Sequence, residues 1–259
     1  MSRPSILITG AAAGIGQATA RRFAAQGWFV GLADIDIAGV EALAKELGVE
    51  HAMALQLNVT EADQWAQALD CFFQQTGRLD VLLNNAGILA SGPFGDIALE
   101  RQHLMVDINI KGVINGCYQA LPWLKQTKGA RVINMSSASA MYGQPSLAIY
   151  SATKFAIRGL TEALSLEWET FGIQVMDIMP LFVQTSMVKD MDAKAIENLG
   201  VKLSADDVAK TIWKAATHEG LTSRVHWTVG FNTRLFYSVA GLMPDWLSRQ
   251  VNGFIARKN

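Results

Sequence analysis

This chain has little charge of either sign to spare, little cysteine, little proline and no long apolar run. Its 22 Lys and Arg face 23 Asp and Glu, for a formal net charge of −1. No basic field is therefore present to draw a nucleic acid, and no polyanion partner is expected. Two cysteines, Cys71 and Cys117, are too few to staple a small secreted scaffold. Both lie on apolar segments with helical patterning, where they read as core-filling thiols suited to a reducing compartment. The N-terminal MSRPSILITG lacks the apolar run of a signal peptide, and polar residues interrupt every later hydrophobic stretch before membrane-spanning length. The expectation is a soluble cytoplasmic protein without membrane attachment. With only 6 prolines and no Pro/Ser-rich or charged linker, 259 residues read as one large domain rather than two small ones. No internal repeat, low-complexity tract or metal site is expected.

What is present is a regular alternation. Short runs that are apolar almost throughout, at 5–9, 28–33, 51–57, 79–85, 130–136, 173–179 and 224–230, read as strands. A strand without polar alternation is buried on both faces, as in parallel sheets covered by helices. Between the runs lie helical patterns at 15–26, 36–47, 61–76, roughly 99–127, 150–170 and 205–218. Thr60 and Ser204 each precede an acid three positions on, a helix-start signal in which a hydroxyl caps orphan N–H groups. The pattern predicts an α/β fold: a doubly wound parallel sheet of about seven strands with helices on both faces. Its ligand crevice lies at the carboxyl ends of the strands, so site residues should fall just after strands.

Directly after the first strand, Thr9–Gly16 reads TGAAAGIG and runs into the first helix. Gly10, Gly14 and Gly16 allow a tight turn and close approach of backbone to a phosphate, beside Ile15, while the helix N-terminus supplies N–H donors. A glycine-rich turn of no special purpose is the alternative, but the strand-to-helix position favours dinucleotide binding. Asp34 ends the second strand, eighteen residues after Gly16. A carboxylate there accepts hydrogen bonds from ribose hydroxyls and repels a 2′-phosphate, which favours NAD over NADP. Asp34 as a mere loop acid, with Asp36 a helix cap, is the competing reading.

With TGAAAGIG, the pieces NNAG (84–87), NMSS (134–137) and YSATK (150–154) stand in an order and spacing that resembles the classical short-chain dehydrogenases/reductases over nearly the whole chain. The resemblance implies a Rossmann-type fold, and a catalytic set of Ser137, Tyr150, Lys154 and, in VDINIKG, Asn109. Free tyrosine titrates near ~10, so it is a poor base at neutral pH unless its phenolate is stabilised. A lysine one helical turn along is expected to lower that pKa by Coulomb attraction. Tyr150 would then take the alcohol proton or return it to a carbonyl oxygen, which Ser137 would hydrogen-bond. By the same resemblance Lys154 grips the nicotinamide ribose and Asn109 orders a water. Asn85, Ala86 and Gly87 line the adenosine and ribose side, while Asn84 braces the sheet or joins them.

The chain departs from the family pattern in three places. Asn58, before Val59, stands where an aspartate is usual, and its amide oxygen can still accept from the adenine amino group. Leu181 replaces a usual glycine after Pro180, either altering the turn or narrowing the pocket. Val183 and Thr185 still match the residues that receive the nicotinamide carboxamide. Beyond a catalytic domain at 1–232, an extension at 233–259 carries apolar residues at helical spacing around Pro244: Leu235, Phe236, Val239, Leu242 and Met243, then Trp246, Leu247, Val251, Phe254 and Ile255. A helix packed on its own subunit, a subunit contact or a lid all fit it, and peripheral membrane attachment fits less well.

Leu89, Phe94, Met141, Tyr142, Leu147, Phe182 and Met187 fall on segments near the expected cleft mouth. No cluster of Arg or Lys is available there to receive a substrate carboxylate or phosphate. The expected activity is NAD(H)-dependent interconversion of a hydrophobic secondary alcohol and its ketone, by a homodimer or homotetramer. A catalytically silent dinucleotide-binding regulator and an NADPH-dependent carbonyl reductase are the competing readings.

Overall fold

The computed structural model describes residues 3–185, 201, 203–220, 224–240 and 243–256. Strands β1 (Ser5–Thr9), β2 (Phe29–Asp34), β3 (Ala52–Gln56), β4 (Val81–Asn84), β5 (Arg131–Met135), β6 (Gln174–Met179) and β9 (His226–Thr228) form a 7-stranded sheet in the order β3-β2-β1-β4-β5-β6-β9. Every pairing in it is parallel. The short β7 (Val183–Gln184) and β8 (Leu203–Ser204) pair separately and were not foreseen, because two-residue strands carry no periodic signal.

The unbroken apolar runs have the predicted cause. Side chains alternate across a strand, so Ile6 and Ile8 of β1 enter one core with Phe23, Val40 and Val208. Leu7 enters the other with Trp65, Phe72, Val113 and Ile157. The first core is closed by α1 (Gly14–Ala25), α2 (Ile37–Leu47) and α7 (Ala205–Ala216), and the second by α3 (Ala62–Thr76), α5 (Gly112–Leu124) and α6 (Ala148–Glu167). Phe23 makes edge-on contacts with Trp28 and Trp213, at 5.1 and 4.9 Å between ring centroids, and these tie α1 to α7.

Three local expectations need correction. The segment read as one helix over 99–127 is α4 (Leu99–Val106), a π-helical turn at Asp107–Lys111 and then α5. Ser204 makes the full capping box with Asp207, but Thr60 caps nothing. Its hydroxyl and amide go instead to Asn58 Oδ1, at 2.9 and 3.1 Å, so an Asx turn outcompetes the cap. Cys71 is exposed rather than core-filling, because α3 buries Trp65, Ala68, Leu69 and Phe72 and turns Cys71 outward; both cysteines are free.

The extension forms α8 (Phe231–Ala240) and α9 (Asp245–Ala256). Tyr237 of α8 packs on His226 of β9, 5.7 Å between centroids, so this helix is seated on its own chain. Phe231, Leu235 and Trp246 remain exposed. Leu242 falls outside the described residues, as do the side chains of Val239, Phe254 and Ile255. No helix among the described residues is long and apolar enough to cross a membrane.

Candidate active site

The chain runs from β1 outward to β3, then returns to β4 on the other side of β1. At this reversal the helices after β1 and β4 leave on opposite faces and open a crevice above the strand ends. A cleft of about 370 Å³ lies here, lined by residues that run from Gly10 to Thr185 along the sequence.

Gly10 and Gly16 set the shape of its floor. Gly10 has φ +66°, and a Cβ on it would stand 2.9 Å from Ala86 Cα. A Cβ on Gly16 would lie 2.1 Å from the Gly10 carbonyl oxygen, so α1 can start this close to the loop only without a side chain there. Gly16 is consequently packed beneath the loop, while Gly10, Gly14 and Ile15 line the cleft. Helix α1 has no side-chain cap and no acid in its first turn. Its orphan N–H groups and positive dipole end are thus free to meet an anion.

Asp34 lines the cleft beside the loop. One carboxylate oxygen accepts from Ala12 N at 3.0 Å and the other from Asp36 N at 3.1 Å. Asp36 meanwhile caps α2 by accepting from Gly39 N at 3.0 Å. The two readings of this stretch coexist: Asp36 is the cap, and Asp34 is the acid on the cleft wall. Asn58 and Val59 line the cleft further on. The Asn58 amide oxygen is taken by Thr60, so the adenine contact expected of that oxygen would have to compete with the turn.

Two residues that were not singled out hold this wall together. Thr9 Oγ1 accepts from Asn85 N and Ala86 N, both at 3.0 Å, while Asn85 Nδ2 donates to the carbonyls of Thr9 and Gly10 at 2.9 and 3.1 Å. This clamps the ends of β1 and β4 to each other and presents Asn85, Ala86 and Gly87 to the cleft. Thr153 accepts from Asn109 Nδ2 at 3.2 Å and donates to the Tyr150 carbonyl at 2.7 Å, joining the π turn to the tyrosine's helix. The signal for Thr9 was its place at a strand end beside a glycine. Thr153 gave none beyond lying inside YSATK.

Asn109 itself stands behind the wall rather than on it. Its side chain is 1 % exposed and fully engaged, accepting from Ile88 N at 2.8 Å and donating to Ile88 O at 2.9 Å and to Thr153. The amide therefore fixes the segment after β4 against α6, and offers no free hydrogen to a bound water.

Ser137, Tyr150 and Lys154 converge on one side of the cleft. Ser137 follows β5, and Tyr150 and Lys154 share a face of α6 one turn apart. Burial pushes the Tyr150 hydroxyl up to about 12, and a hydrogen bond with the Ser137 side chain opposes the rise. Burial pushes the Lys154 ammonium down to about 8. Its Nζ donates to the Met135 carbonyl at 2.7 Å and lies 5.4 Å from the Tyr150 ring centroid. The expected Coulomb lowering does not set the phenol's pKa here; desolvation dominates, acting on both groups and favouring their neutral forms. Lys154 is the only cationic side chain lining the cleft among the described residues, and Asp34 the only anionic one.

A polar row under α6 steadies these groups. Asn84, Asn134, Asp177 and His226 stand in register across β4, β5, β6 and β9. Asn84 Nδ2 donates to Asn134 Oδ1 at 2.9 Å, so Asn84 braces the sheet and does not line the cleft. Asn134 Nδ2 donates to Thr161 of α6 at 3.0 Å. His226 bridges buried Asp177 and Glu162 of α6, each contact at 3.0 Å. Burial raises the Asp177 carboxyl, and the hydrogen bond from His226 opposes this.

The wall beyond the tyrosine is apolar: Leu147 and Phe182 pack together with Leu89, Leu181 and Tyr150. Leu181 takes no left-handed conformation, since Ser146 is the only described non-glycine residue with positive φ. It therefore leaves the turn unstrained and occupies pocket space, next to Pro180, Val183 and Thr185 on the same rim. Phe94 is 62 % exposed, and neither it, Met141 nor Tyr142 lines the cleft. Met187 lies outside the described residues.

The chain matches the family model for short chain dehydrogenase over residues 4–196. It is 33 % identical over 221 residues to a 3-oxoacyl-(acyl-carrier-protein) reductase of Thermotoga maritima, covering 82 % of this chain and 90 % of that protein. To a serine 3-dehydrogenase of Agrobacterium fabrum it is 37 % identical, covering 82 % and 88 %. Among solved structures it is similar to a 3-ketoacyl-(acyl-carrier-protein) reductase from Brucella melitensis complexed with NADH, with TM-score 0.81, 28 % identity and coverage of 87 % and 96 %.

Proposed function

The chain belongs to the short chain dehydrogenase family, and from that premise we propose that it interconverts a neutral, hydrophobic secondary alcohol and its ketone with NAD(H). The observation that carries this reading is the meeting of Ser137, Tyr150 and Lys154 in the same cleft as the glycine loop.

The residues present fit a dinucleotide. Uncapped α1 faces the loop, Gly10 and Gly16 leave room where a Cβ would strike backbone, and Asp34 stands beside the loop, bonded to Ala12 N. In this assignment Gly10, Gly14, Ile15 and Gly16 shape the pyrophosphate site. Asp34 holds the adenosine ribose, and its negative charge disfavours a 2′-phosphate. Asn58, Val59, Asn85, Ala86 and Gly87 flank the adenosine half, while Pro180, Val183 and Thr185 flank the nicotinamide. The bound nicotinamide supplies the hydride acceptor or donor.

The chain's own groups handle the proton. Tyr150 O–H donates to the carbonyl oxygen during reduction, and the phenolate takes the alcohol proton during oxidation. Ser137 Oγ, which lines the same cleft as Tyr150, donates to the same oxygen and fixes its position. Lys154 is held on the Met135 carbonyl beside the phenol, where its charge favours the phenolate and its N–H groups can hold a ribose. The scarcity of charge in the cleft supports a neutral substrate, and Leu89, Leu147, Leu181 and Phe182 support an apolar one.

Replacing Tyr150 by Phe tests the assignment. Turnover across a panel of hydrophobic alcohols and ketones should fall at least about a hundredfold, while NADH binding followed by fluorescence persists. Unchanged turnover would sink the mechanism.

A further inference from the structure

One polar side chain on the cleft wall has no task in the reading above. Ser139 lines the cleft two residues after Ser137 and is 2 % exposed. Burying a hydroxyl costs free energy unless it is hydrogen-bonded, so its partner shows what the group is there for. Among the described residues that partner is Ser137. The two Oγ atoms stand 3.3 Å apart, and Ser139 N donates to Ser137 Oγ at 3.1 Å.

The backbone keeps the pair together. Ser137 opens a 3-10 turn at Ala138–Ala140, in which Ala140 N donates to the Ser137 carbonyl at 3.0 Å. Ala138 N donates to the Pro180 carbonyl at 2.9 Å, just beyond β6, and Arg158 of α6 donates to the Ala140 carbonyl at 3.4 Å. The turn is thus tied to elements on both sides by bonds that neither serine hydroxyl makes.

A serine hydroxyl has one hydrogen and two lone pairs. The Ser139 amide occupies one lone pair of Ser137 Oγ, and the Ser137 O–H donates to Ser139 Oγ. In that direction Ser137 has no hydrogen to give a substrate. We infer that Ser139 is a positioning residue for the reaction: as a carbonyl oxygen enters between Ser137 and Tyr150, the bond between the serines reverses, so that Ser139 O–H donates to Ser137 Oγ and Ser137 O–H turns to the substrate. This rests on the alcohol/ketone reading above and deepens it. Only two O–H bonds rotate, and no proton changes its heavy atom. With both lone pairs of Ser137 filled by Ser139, its single hydrogen has one direction left. Donors in series also polarise one another, so Ser137 holds the oxygen more strongly than a lone hydroxyl would. The gain is greatest in the transition state, where that oxygen carries most charge.

The test is a double-mutant cycle on ketone reduction with NADH by the full chain, on whichever member of a panel containing 2-octanone, cyclohexanone and acetophenone turns over fastest. Ser139→Ala keeps the amide donor and removes the hydroxyl. Its kcat should fall roughly tenfold, the worth of one hydrogen bond, while KM and NADH affinity stay within about twofold. In a Ser137→Ala background, assayed at high enzyme concentration, the same change should cost nothing further, because the group through which Ser139 acts is gone. A merely structural Ser139 would lower turnover in both backgrounds alike. Unchanged kcat in Ser139→Ala, a loss confined to KM, or losses that multiply in the double variant overturn the inference. Turnover left intact by Ser137→Ala overturns it along with the role given to Ser137, and leaves the proton role of Tyr150 standing. No turnover of any alcohol or ketone overturns both readings.

Discussion

Replacing Lys154 by Met isolates a tension built into the site. The lysine is 6 % exposed, and burial lowers its ammonium from 10.5 to about 8. That drop corresponds to roughly 3 kcal/mol of unfavourable burial of the charged form. The donor bond from Nζ to the Met135 carbonyl at 2.7 Å returns part of it, and losing that bond costs about 1–2 kcal/mol. Lys154→Met should therefore be more stable than wild type by about 1–2 kcal/mol at pH 7. The folded pKa lies below the unfolded one, so the unfolded chain binds the extra proton between pH 8 and 10.5. In that window wild-type stability rises relative to the variant, by up to about 1.4 kcal/mol per pH unit, whereas below pH ~8 the burial cost is complete and the difference is flat. Urea unfolding of both cofactor-free proteins at pH 7, 8.5 and 10, followed by tryptophan fluorescence, reads the effect. Other titrating groups cancel in the difference between the two chains. A difference that stays constant from pH 7 to 10, or a variant less stable than wild type at pH 7, would refute the burial argument. Turnover should be lost in the variant at every pH.

Two further substitutions test the cofactor end. Asp34→Ala should weaken NAD binding and relax discrimination against NADP, measured as the ratio of the two dissociation constants; it should also cost about 1–2 kcal/mol of stability, because Ala12 N and Asp36 N lose their acceptor. A wild-type preference for NADP would contradict the role given to Asp34. Gly16→Ala should abolish NADH binding, or prevent folding of the loop, since its methyl would meet the Gly10 carbonyl at 2.1 Å. Retained affinity with an unchanged melting temperature would show that the start of α1 is looser than described.

Much of the architecture was legible in the chain because its causes are local. The apolar runs of β1, β2 and β4 follow from burial on both faces, and the helices between them from their periodicity. The Ser204 cap was legible for the same reason, since donor and acceptor lie three positions apart. The misreadings arose where a local signal met a competitor it could not reveal. Thr60 had the sequence of a cap but was captured by Asn58. Cys71 sat in an apolar stretch whose helical phase turned it outward. The break at Asp107–Lys111 left the apolar spacing of 99–127 almost unchanged, so a π turn passed as continuous helix.

The site divides along the same line. Spacing alone places Tyr150 and Lys154 on one face of a helix and puts Gly10, Gly14 and Gly16 between a strand and a helix, because both relations lie within a few residues of backbone. Sequence by itself thus determined the chemical inventory, the fold class and the order of the strands along the chain. The environment of each group was decided only by tertiary structure, because desolvation and hydrogen bonding depend on residues far apart in sequence. Those contacts raise the Tyr150 phenol where charge alone predicted lowering, and they use up the amide of Asn109. The same packing that satisfies it leaves the Gln144 amide oxygen buried with nothing of the protein's own to bind.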